Sequence, residues 1–210
     1  MRAHPETQTA RPTFSELMRL WFRWVLEPIA AFLNRLGLMP NTITLVGLAG
    51  NAVAAIFLAQ GNFLVGGLLV LLMGPVDALD GTMARLRGEA SDFGAFVDSV
   101  TDRYSELLIY GGLLLHYLYR DEPTTAALIF GAAAGSVLVS YVKARAEGVG
   151  FDARLGLLTR LERYLVLVPS LLFYQVRLGM WVIAILANVT ALQRILYVRR
   201  QARQGRGRSE

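Results

Sequence analysis

Two pairs of aspartates are the residues of this chain whose types and spacing could do chemistry. Asp77 and Asp80 are three residues apart, and Asp98 and Asp102 are four apart. On α-helices both spacings place the two carboxylates on one face, about one turn from each other. The turn at 86–91 returns the chain, so both pairs are expected at the same membrane level. Two facing pairs would form an oxygen cage for one or two divalent cations.

The surroundings of the aspartates are those of a membrane protein. The 210 residues are 54% hydrophobic, and their mean hydropathy is +0.44, which is too apolar for an ordinary soluble domain. Carboxylates at the end of an apolar helix are costly to desolvate, so they usually pair with a cation. Helix capping or pairing with nearby arginines would explain a single aspartate better than four with this spacing.

The kind of cation follows from the available ligands. The chain has no cysteine, and its two histidines, His4 and His116, are far apart. The metal must then be held by oxygen, which favours Mg²⁺, Mn²⁺ or Ca²⁺ over zinc. The net charge of +5 is explained by membrane topology and anionic lipid. No nucleic-acid partner is expected, because aromatic and basic residues do not alternate on a polar face.

The apolar pattern predicts an all-α integral membrane fold. Residues 1–11 are expected to be disordered, and residues 12–38 to form an amphipathic interfacial helix. A six-helix membrane domain at 39–198 and a basic tail at 199–210 are predicted to follow. The spans are predicted at 42–60, 63–84, 92–119, 123–146, 157–176 and 179–198.

The distribution of basic residues predicts the orientation of these spans. Six spans place both termini on one side, and Arg120 and Arg177 are the basic residues expected on the opposite loops. By the positive-inside rule, the termini and the aspartates face the cytoplasm of the cell membrane.

The residues around the aspartates resemble the signature of the CDP-alcohol phosphotransferase family, D-x2-D-G-x2-A-R-x8-G-x3-D-x3-D. The matching positions are Asp77, Asp80, Gly81, Ala84, Arg85, Gly94, Asp98 and Asp102. The resemblance implies transfer of a phosphatidyl group from CDP-diacylglycerol to an alcohol, with release of CMP. It also implies one or two Mg²⁺ ions (Mn²⁺ as an alternative) and a homodimer surrounded by membrane lipids.

The same resemblance implies a role for each matching residue. The four signature aspartates would bind the metal, and Asp102 would also take the proton from the attacking hydroxyl. Arg85 offers a planar donor fork suited to phosphate. The residues implied to bind CDP-diacylglycerol are Asn41, Thr42, Ile43, Thr44, Gly81, Ala84, Arg85 and Ser91.

Four cations in the second half are candidates for binding the acceptor. Lys143, Arg160, Arg163 and Arg194 are expected on the side of the aspartates, where together they could form an anion pocket. Snorkelling would explain any one of them alone. The run from Ser140 to Glu147, with the later Arg-x-Glu-Arg, resembles the phosphatidylinositol-phosphate synthase branch. That implies inositol 1-phosphate as acceptor, with glycerol 3-phosphate as the leading alternative.

A cation channel or transporter is the alternative from another class. Transporters tend to hold such groups near the midplane on broken helices in repeated halves. Here the carboxylates are expected at one interface, and the sequence shows no long internal repeat. A membrane scaffold would leave the aspartate spacing unexplained.

Overall fold

The structure is a computed structural model that describes residues 14–153 and 155–206. Within these residues there are helices and no strands, so the prediction of an all-α fold is confirmed. The disorder expected at 1–11 falls outside the described residues. The helices are α1 Phe14–Arg35, α2 Pro40–Ala59, α3 Phe63–Arg87, α4 Asp92–Tyr119, α5 Pro123–Gly148, α6 Arg160–Leu172 and α7 Val176–Arg206.

Four of the described helices are long and apolar enough to cross a membrane, which makes this a membrane protein. They are α2, α3, α5 and the Val176–Gln204 part of α7. Helix α4 has 28 residues, but Asp98, Asp102, Arg103 and Glu106 make the N-terminal part of it polar. Helix α6 has 13 residues, or about 20 Å, which is shorter than the hydrocarbon core of a bilayer.

The last two helices differ in extent from the predicted spans. The turn between them lies at 173–175, where Tyr174 has a φ of 57° and Gln175 donates its backbone N–H to the Ser170 carbonyl. Helix α7 therefore begins at Val176 rather than at 179. It continues to Arg206 rather than ending at 198, because the arginines and glutamines of this stretch are good helix formers.

The main core fills the space between α2 and the helices that follow it. Its largest fully buried side chains include Leu58, Tyr110, Ile129 and Met180. The Tyr110 and Ser136 hydroxyls share a hydrogen bond of 3.2 Å inside it, which joins α4 to α5. Many outward-facing residues, such as Leu45, Phe130 and Leu192, are exposed and apolar, as lipid-facing positions must be.

Helix α1 packs on α3 through a second, smaller core. Ala30 of α1 is fully buried with Ile43, Leu79 and Met83. Beside it the Asn34 amide donates to the Met83 carbonyl at 3.2 Å. The Arg87 guanidinium donates in turn to Asn34 at 2.7 Å and to the Leu38 carbonyl at 2.6 Å. The end of α1 is thereby fixed to the part of α3 that carries Asp77 and Asp80.

The connection between α3 and α4 is short and capped at both ends. Gly88 ends α3 in the left-handed conformation, with φ 68°, which glycine adopts without strain. The Ser91 hydroxyl accepts a hydrogen bond from the Gly94 backbone N–H at 3.1 Å and caps α4. This tight return reverses the chain between α3 and α4, which both pack on α2, so their aspartates lie at the same end of the bundle.

An exposed ion pair lies at the opposite end of the bundle. Arg177 at the start of α7 donates to the Glu122 carboxylate at 2.6 Å, and Thr125 donates to it at 3.0 Å. These hydrogen bonds hold the pKa of Glu122 below its usual range.

The two neighbouring glycines of α4 provide a test of helix packing. A Cβ at Gly112 would overlap the Ala55 carbonyl of α2, whereas a Cβ at Gly111 would meet nothing within 4 Å. We expect Gly112→Ala to destabilise the protein by about 1–3 kcal/mol, because α2 and α4 must move apart. Gly111→Ala is the matched control and should be neutral or slightly stabilising. Thermal unfolding in detergent measures both, and equal transition temperatures would contradict the packing described.

Candidate active site

The structure brings the four signature aspartates together at one end of the bundle. Asp80 and Asp102 are buried, with 5% and 8% of their surface exposed, while Asp77 and Asp98 are partly buried. Asp98 lies close enough to repel the carboxylates of the other three. We call these four residues the acidic cluster. Two of its members come from the second half of α3 and two from the first half of α4.

Arg160, the first residue of α6, bridges the acidic cluster. One terminal nitrogen of its guanidinium bonds to Asp77 Oδ2 at 2.9 Å, and the other bonds to Asp102 Oδ2. Arg103 Nη1 lies 3.7 Å from the same Asp102 oxygen and donates to the Ser99 carbonyl at 2.6 Å. The guanidinium of Arg160 therefore joins α3, α4 and α6 at one point.

Helix α2 supports the acidic cluster from the other side. The Thr44 hydroxyl donates to Asp80 Oδ2 at 2.5 Å. One turn further along α2, a Cβ at Gly47 would overlap the Asp77 carboxylate. Gly47 thus allows α2 to approach Asp77 closely, a role that the sequence analysis missed because an isolated glycine in an apolar helix carries no recognisable signal.

A buried ion pair lies one turn beyond Asp102. Arg163, of which 2% is exposed, donates to both oxygens of Glu106, from Nε at 2.7 Å and from Nη2 at 3.1 Å. This two-bond geometry is the strongest that arginine and a carboxylate form. The predicted acceptor-binding residue Arg163 is therefore already occupied by Glu106 and anchors α6 to α4.

Arg194 of α7 is a buried cation whose hydrogen bonds go to backbone carbonyls. It is 4% exposed, and it donates to Leu155 at 2.8 Å and to Val139 at 2.5 Å. In the described part of the chain no carboxylate forms an ion pair with it. At longer range Glu147 attracts this guanidinium and Arg163 repels it. Arg194 lies next to the 155–159 loop, where the Leu158 N–H donates to the Thr190 hydroxyl at 3.0 Å.

The other predicted site residues occupy more ordinary positions. Lys143 pairs with Glu147 at 3.8 Å on a half-exposed part of α5. Ser91 caps α4, and Ile43 packs in the smaller core. Asn41 and Thr42 are exposed at the start of α2.

The remaining signature residues lie beside the acidic cluster on α3. The Arg85 side chain is exposed and lies over Gly81, where it donates to the Thr82 hydroxyl at 3.0 Å. Ala84 is partly buried. A small residue at 81 leaves the space that the Arg85 guanidinium uses.

Comparison with known proteins agrees with this arrangement. The sequence profile of the CDP-alcohol phosphatidyltransferase family matches residues 37–194, which is most of the chain. This protein belongs to that family. Phosphatidylinositol phosphate synthase of Streptomyces avermitilis is 38% identical over 93% of this chain and 88% of its own length.

Two solved structures of Mycobacterium tuberculosis phosphatidylinositol phosphate synthase resemble this family member. The one with CDP-DAG bound has a TM-score of 0.79 and 29% identity, and the match covers 83% of this chain and 93% of the other. The one in complex with manganese and citrate has a TM-score of 0.75 and 31% identity, with 82% and 88% covered.

The donor chemistry of the acidic cluster fits a divalent metal. It offers carboxylate oxygens alone, which are the ligands that Mg²⁺ and Mn²⁺ prefer. Within residues 14–153 and 155–206, no three Asp, Glu or His side chains are gathered closely enough to ligate one ion. Arg160 lies between Asp77 and Asp102 and bonds to both. The residues thus fit the metal by type, and Arg160 supplies the counter-charge.

The buried pair of Glu106 and Arg163 gives a direct test of what anchors α6. We expect Glu106→Gln to destabilise the protein by about 3–5 kcal/mol, because it leaves a buried guanidinium without a counter-charge. The matched control is Glu122→Gln, which breaks the exposed pair with Arg177 and should change the stability little. Thermal unfolding in detergent measures both variants. Equal losses at the two sites would contradict the anchoring role of Arg163.

Proposed function

We propose that this protein transfers the phosphatidyl group of CDP-diacylglycerol to inositol 1-phosphate, forming phosphatidylinositol phosphate and releasing CMP. The observation that carries the proposal is the acidic cluster, bridged by Arg160, at the same end of the bundle as the buried Arg194, which donates to backbone carbonyls. Together they offer a place for a metal-bound pyrophosphate and a place for a phosphorylated acceptor. The names of the relatives support the same reaction.

In the proposed reaction, the acceptor hydroxyl attacks the phosphorus that carries the diacylglycerol. The bond between this phosphorus and the bridging oxygen of the pyrophosphate breaks, and the oxygen leaves with CMP. The proton of the attacking hydroxyl passes to Asp102, which is the general base in this proposal. Asp102 is buried on α4, and its bond to Arg160 holds the carboxylate in place.

Asp77, Asp80, Asp98 and Asp102 are proposed to hold one or two divalent ions, Mg²⁺ or Mn²⁺. A bound ion would neutralise the pyrophosphate and stabilise the charge of the departing CMP. Manganese in the structure of the M. tuberculosis relative supports this choice. Thr44 orients Asp80 through its hydrogen bond, so its proposed contribution to donor binding is indirect.

The nucleotide and phosphates of the donor are proposed to lie along the exposed surface beside the acidic cluster. Arg85 is the cation available there, with Asn41 and Thr42 exposed at the start of α2. Gly81 and Ala84 are small residues, so they are proposed to leave room for the donor next to Arg85. Ser91, which caps α4, is proposed to lie at the edge of this surface.

The acceptor phosphate is proposed to bind at Arg194, with Lys143 and Arg160 as further cations. Arg194 is the main candidate, because its guanidinium donates to neutral carbonyls and Glu147 acts on it only at longer range. Arg163 contributes by fixing α6, since Glu106 takes its two donor groups. Glycerol 3-phosphate is the alternative acceptor, because a cationic pocket would suit it as well.

The placement in the membrane is proposed from charge and surface pattern. Six spans, α2 to α7, would place the acidic cluster and both termini on the cytoplasmic side of the cell membrane. Helix α1 would lie in the interface, because Trp24 and Phe32 are exposed on the face opposite its contact with α3. A membrane domain at 39–198, a basic segment at 199–210 and a homodimer are proposed on the family resemblance.

The test of the proposed function is CMP release by purified protein in detergent with CDP-diacylglycerol and Mg²⁺. Inositol 1-phosphate, glycerol 3-phosphate, free inositol and serine are compared as acceptors. We expect turnover with inositol 1-phosphate and complete loss in excess chelator, restored by Mg²⁺ or Mn²⁺. Turnover only with glycerol 3-phosphate would keep the reaction and replace the acceptor. No CMP release with any acceptor would refute the proposal.

The general-base role of Asp102 predicts a distinct kinetic defect. We expect Asp102→Asn to lower turnover by at least about a hundredfold, because general-base catalysis contributes on the order of 10²–10⁴ in rate. The matched control is Asp92→Asn, an exposed aspartate in the first turn of α4 outside the acidic cluster. This control should keep turnover near that of the wild type. Similar turnover in both variants would contradict the assignment.

A further inference from the structure

Helix α3 contains a proline two residues before the acidic cluster begins. Pro75 has no backbone N–H, so the carbonyl of Leu71, four residues earlier, loses its partner within the helix. Leu71 is an exposed residue in an apolar, membrane-spanning helix. In hydrocarbon every backbone polar group needs a partner, because water is not available to replace it. This carbonyl must therefore be satisfied by another part of the protein.

Tyr164 of α6 supplies that partner. Its hydroxyl donates to the Leu71 carbonyl at 2.7 Å and lies 3.2 Å from the Val70 carbonyl. A Cβ at Gly74 would overlap the hydroxyl and ring of Tyr164, so glycine at this position is what lets the tyrosine reach the backbone of α3. Pro75, Gly74 and Tyr164 thus form one complementary contact between α3 and α6.

This contact is one of three that the first turns of α6 make around the acidic cluster. Arg160 bonds to Asp77 and Asp102, Arg163 bonds to Glu106, and Tyr164 bonds to the backbone of α3. The spacing of 160, 163 and 164 places all three side chains on one helix face. The first two contacts hold carboxylates, whereas the third holds the backbone that leads into Asp77.

We propose that Tyr164 is a positioning residue, which sets the direction of the last turns of α3 and thereby the placement of Asp77 and Asp80 for metal binding. It touches neither substrate nor metal and acts through the backbone at Pro75. The inference rests on the proposed metal site of the acidic cluster. It goes beyond the proposed function, because it makes the metal affinity depend on the contact between Tyr164 and the backbone of α3 at Pro75.

The test measures metal affinity without substrate. Mn²⁺ binding to purified protein in detergent is followed by electron paramagnetic resonance for the wild type, Tyr164→Phe and Tyr110→Phe. Tyr164→Phe keeps the ring and removes the hydroxyl, so we expect the Mn²⁺ dissociation constant to rise about tenfold, with a fall in kcat. Tyr110→Phe is the matched control, because it removes a buried hydrogen bond in the main core, two turns beyond Asp102. It should lower the stability and leave the Mn²⁺ dissociation constant unchanged.

A second substitution separates positioning from a general loss of stability. Pro75→Ala restores a backbone N–H for the Leu71 carbonyl, so the hydroxyl of Tyr164 is no longer needed. In the Pro75→Ala background, Tyr164→Phe should change the Mn²⁺ dissociation constant by less than about twofold, which a double-mutant cycle measures. Equal effects of Tyr164→Phe in both backgrounds would overturn the inference.

The remaining outcomes distinguish this inference from the proposed function. A Mn²⁺ dissociation constant for Tyr164→Phe no higher than that of Tyr110→Phe overturns the positioning role, even if the wild type is an active transferase. Wild-type protein that binds Mn²⁺ but releases no CMP refutes the transferase, while the Tyr164 comparison still decides the inference. Wild-type protein that binds no Mn²⁺ overturns both the metal site and the role of Tyr164.

Discussion

The compensation of clustered negative charge in an apolar bundle is the constraint on which the rest of the structure depends. Asp77, Asp80, Asp98 and Asp102 come together where the ends of α3 and α4 lie beside the first turn of α6, and carboxylates in such a place are stable only when paired. Arg160 provides the pairing, and by bonding to Asp77 and Asp102 it joins α3, α4 and α6. The short turn capped by Gly88 and Ser91 is equally necessary, because without it the two aspartate pairs would not face each other.

Helix α6 is short, and its contacts divide into a polar first half and an apolar second half. Its polar contacts with α3 and α4 lie in the first two turns. There Arg160 binds Asp77 and Asp102, Arg163 binds the partly buried Glu106, and Tyr164 binds a backbone carbonyl of α3. The second half packs Leu167, Val168 and Leu171 into the main core and ends at the 173–175 turn. Ion pairs thus hold one end of this short helix, and apolar packing holds the other end.

The sequence predicts the types and spacing of the site residues better than it predicts their partners. The aspartate pairs lie where helical periodicity places them, and the all-α fold follows from the apolar pattern. Arg160, Arg163 and Arg194 are equivalent in sequence as cations near one membrane face. Which of them meets a carboxylate depends on long-range packing, since Arg163 and Glu106 are 57 residues apart. The sequence does not predict the end of α7 either. Where the helix leaves the membrane its residues are no longer apolar, but the helix continues to Arg206.

The charges that the fold leaves unbalanced are complementary to the substrates of the proposed reaction. The acidic cluster has more negative charge than Arg160 and Arg103 supply, so it favours a divalent cation. Arg194 is buried with neutral carbonyl oxygens as its hydrogen-bond partners, and Glu147 and Arg163 act on its charge with opposite signs. A phosphate would complete that site, just as a metal would complete the acidic cluster. Both ligands would therefore stabilise the folded protein by binding it more tightly than the unfolded chain. The fold thus keeps a negative site and a positive site at one end of the bundle, where a metal-bound donor and a phosphorylated acceptor would have to meet.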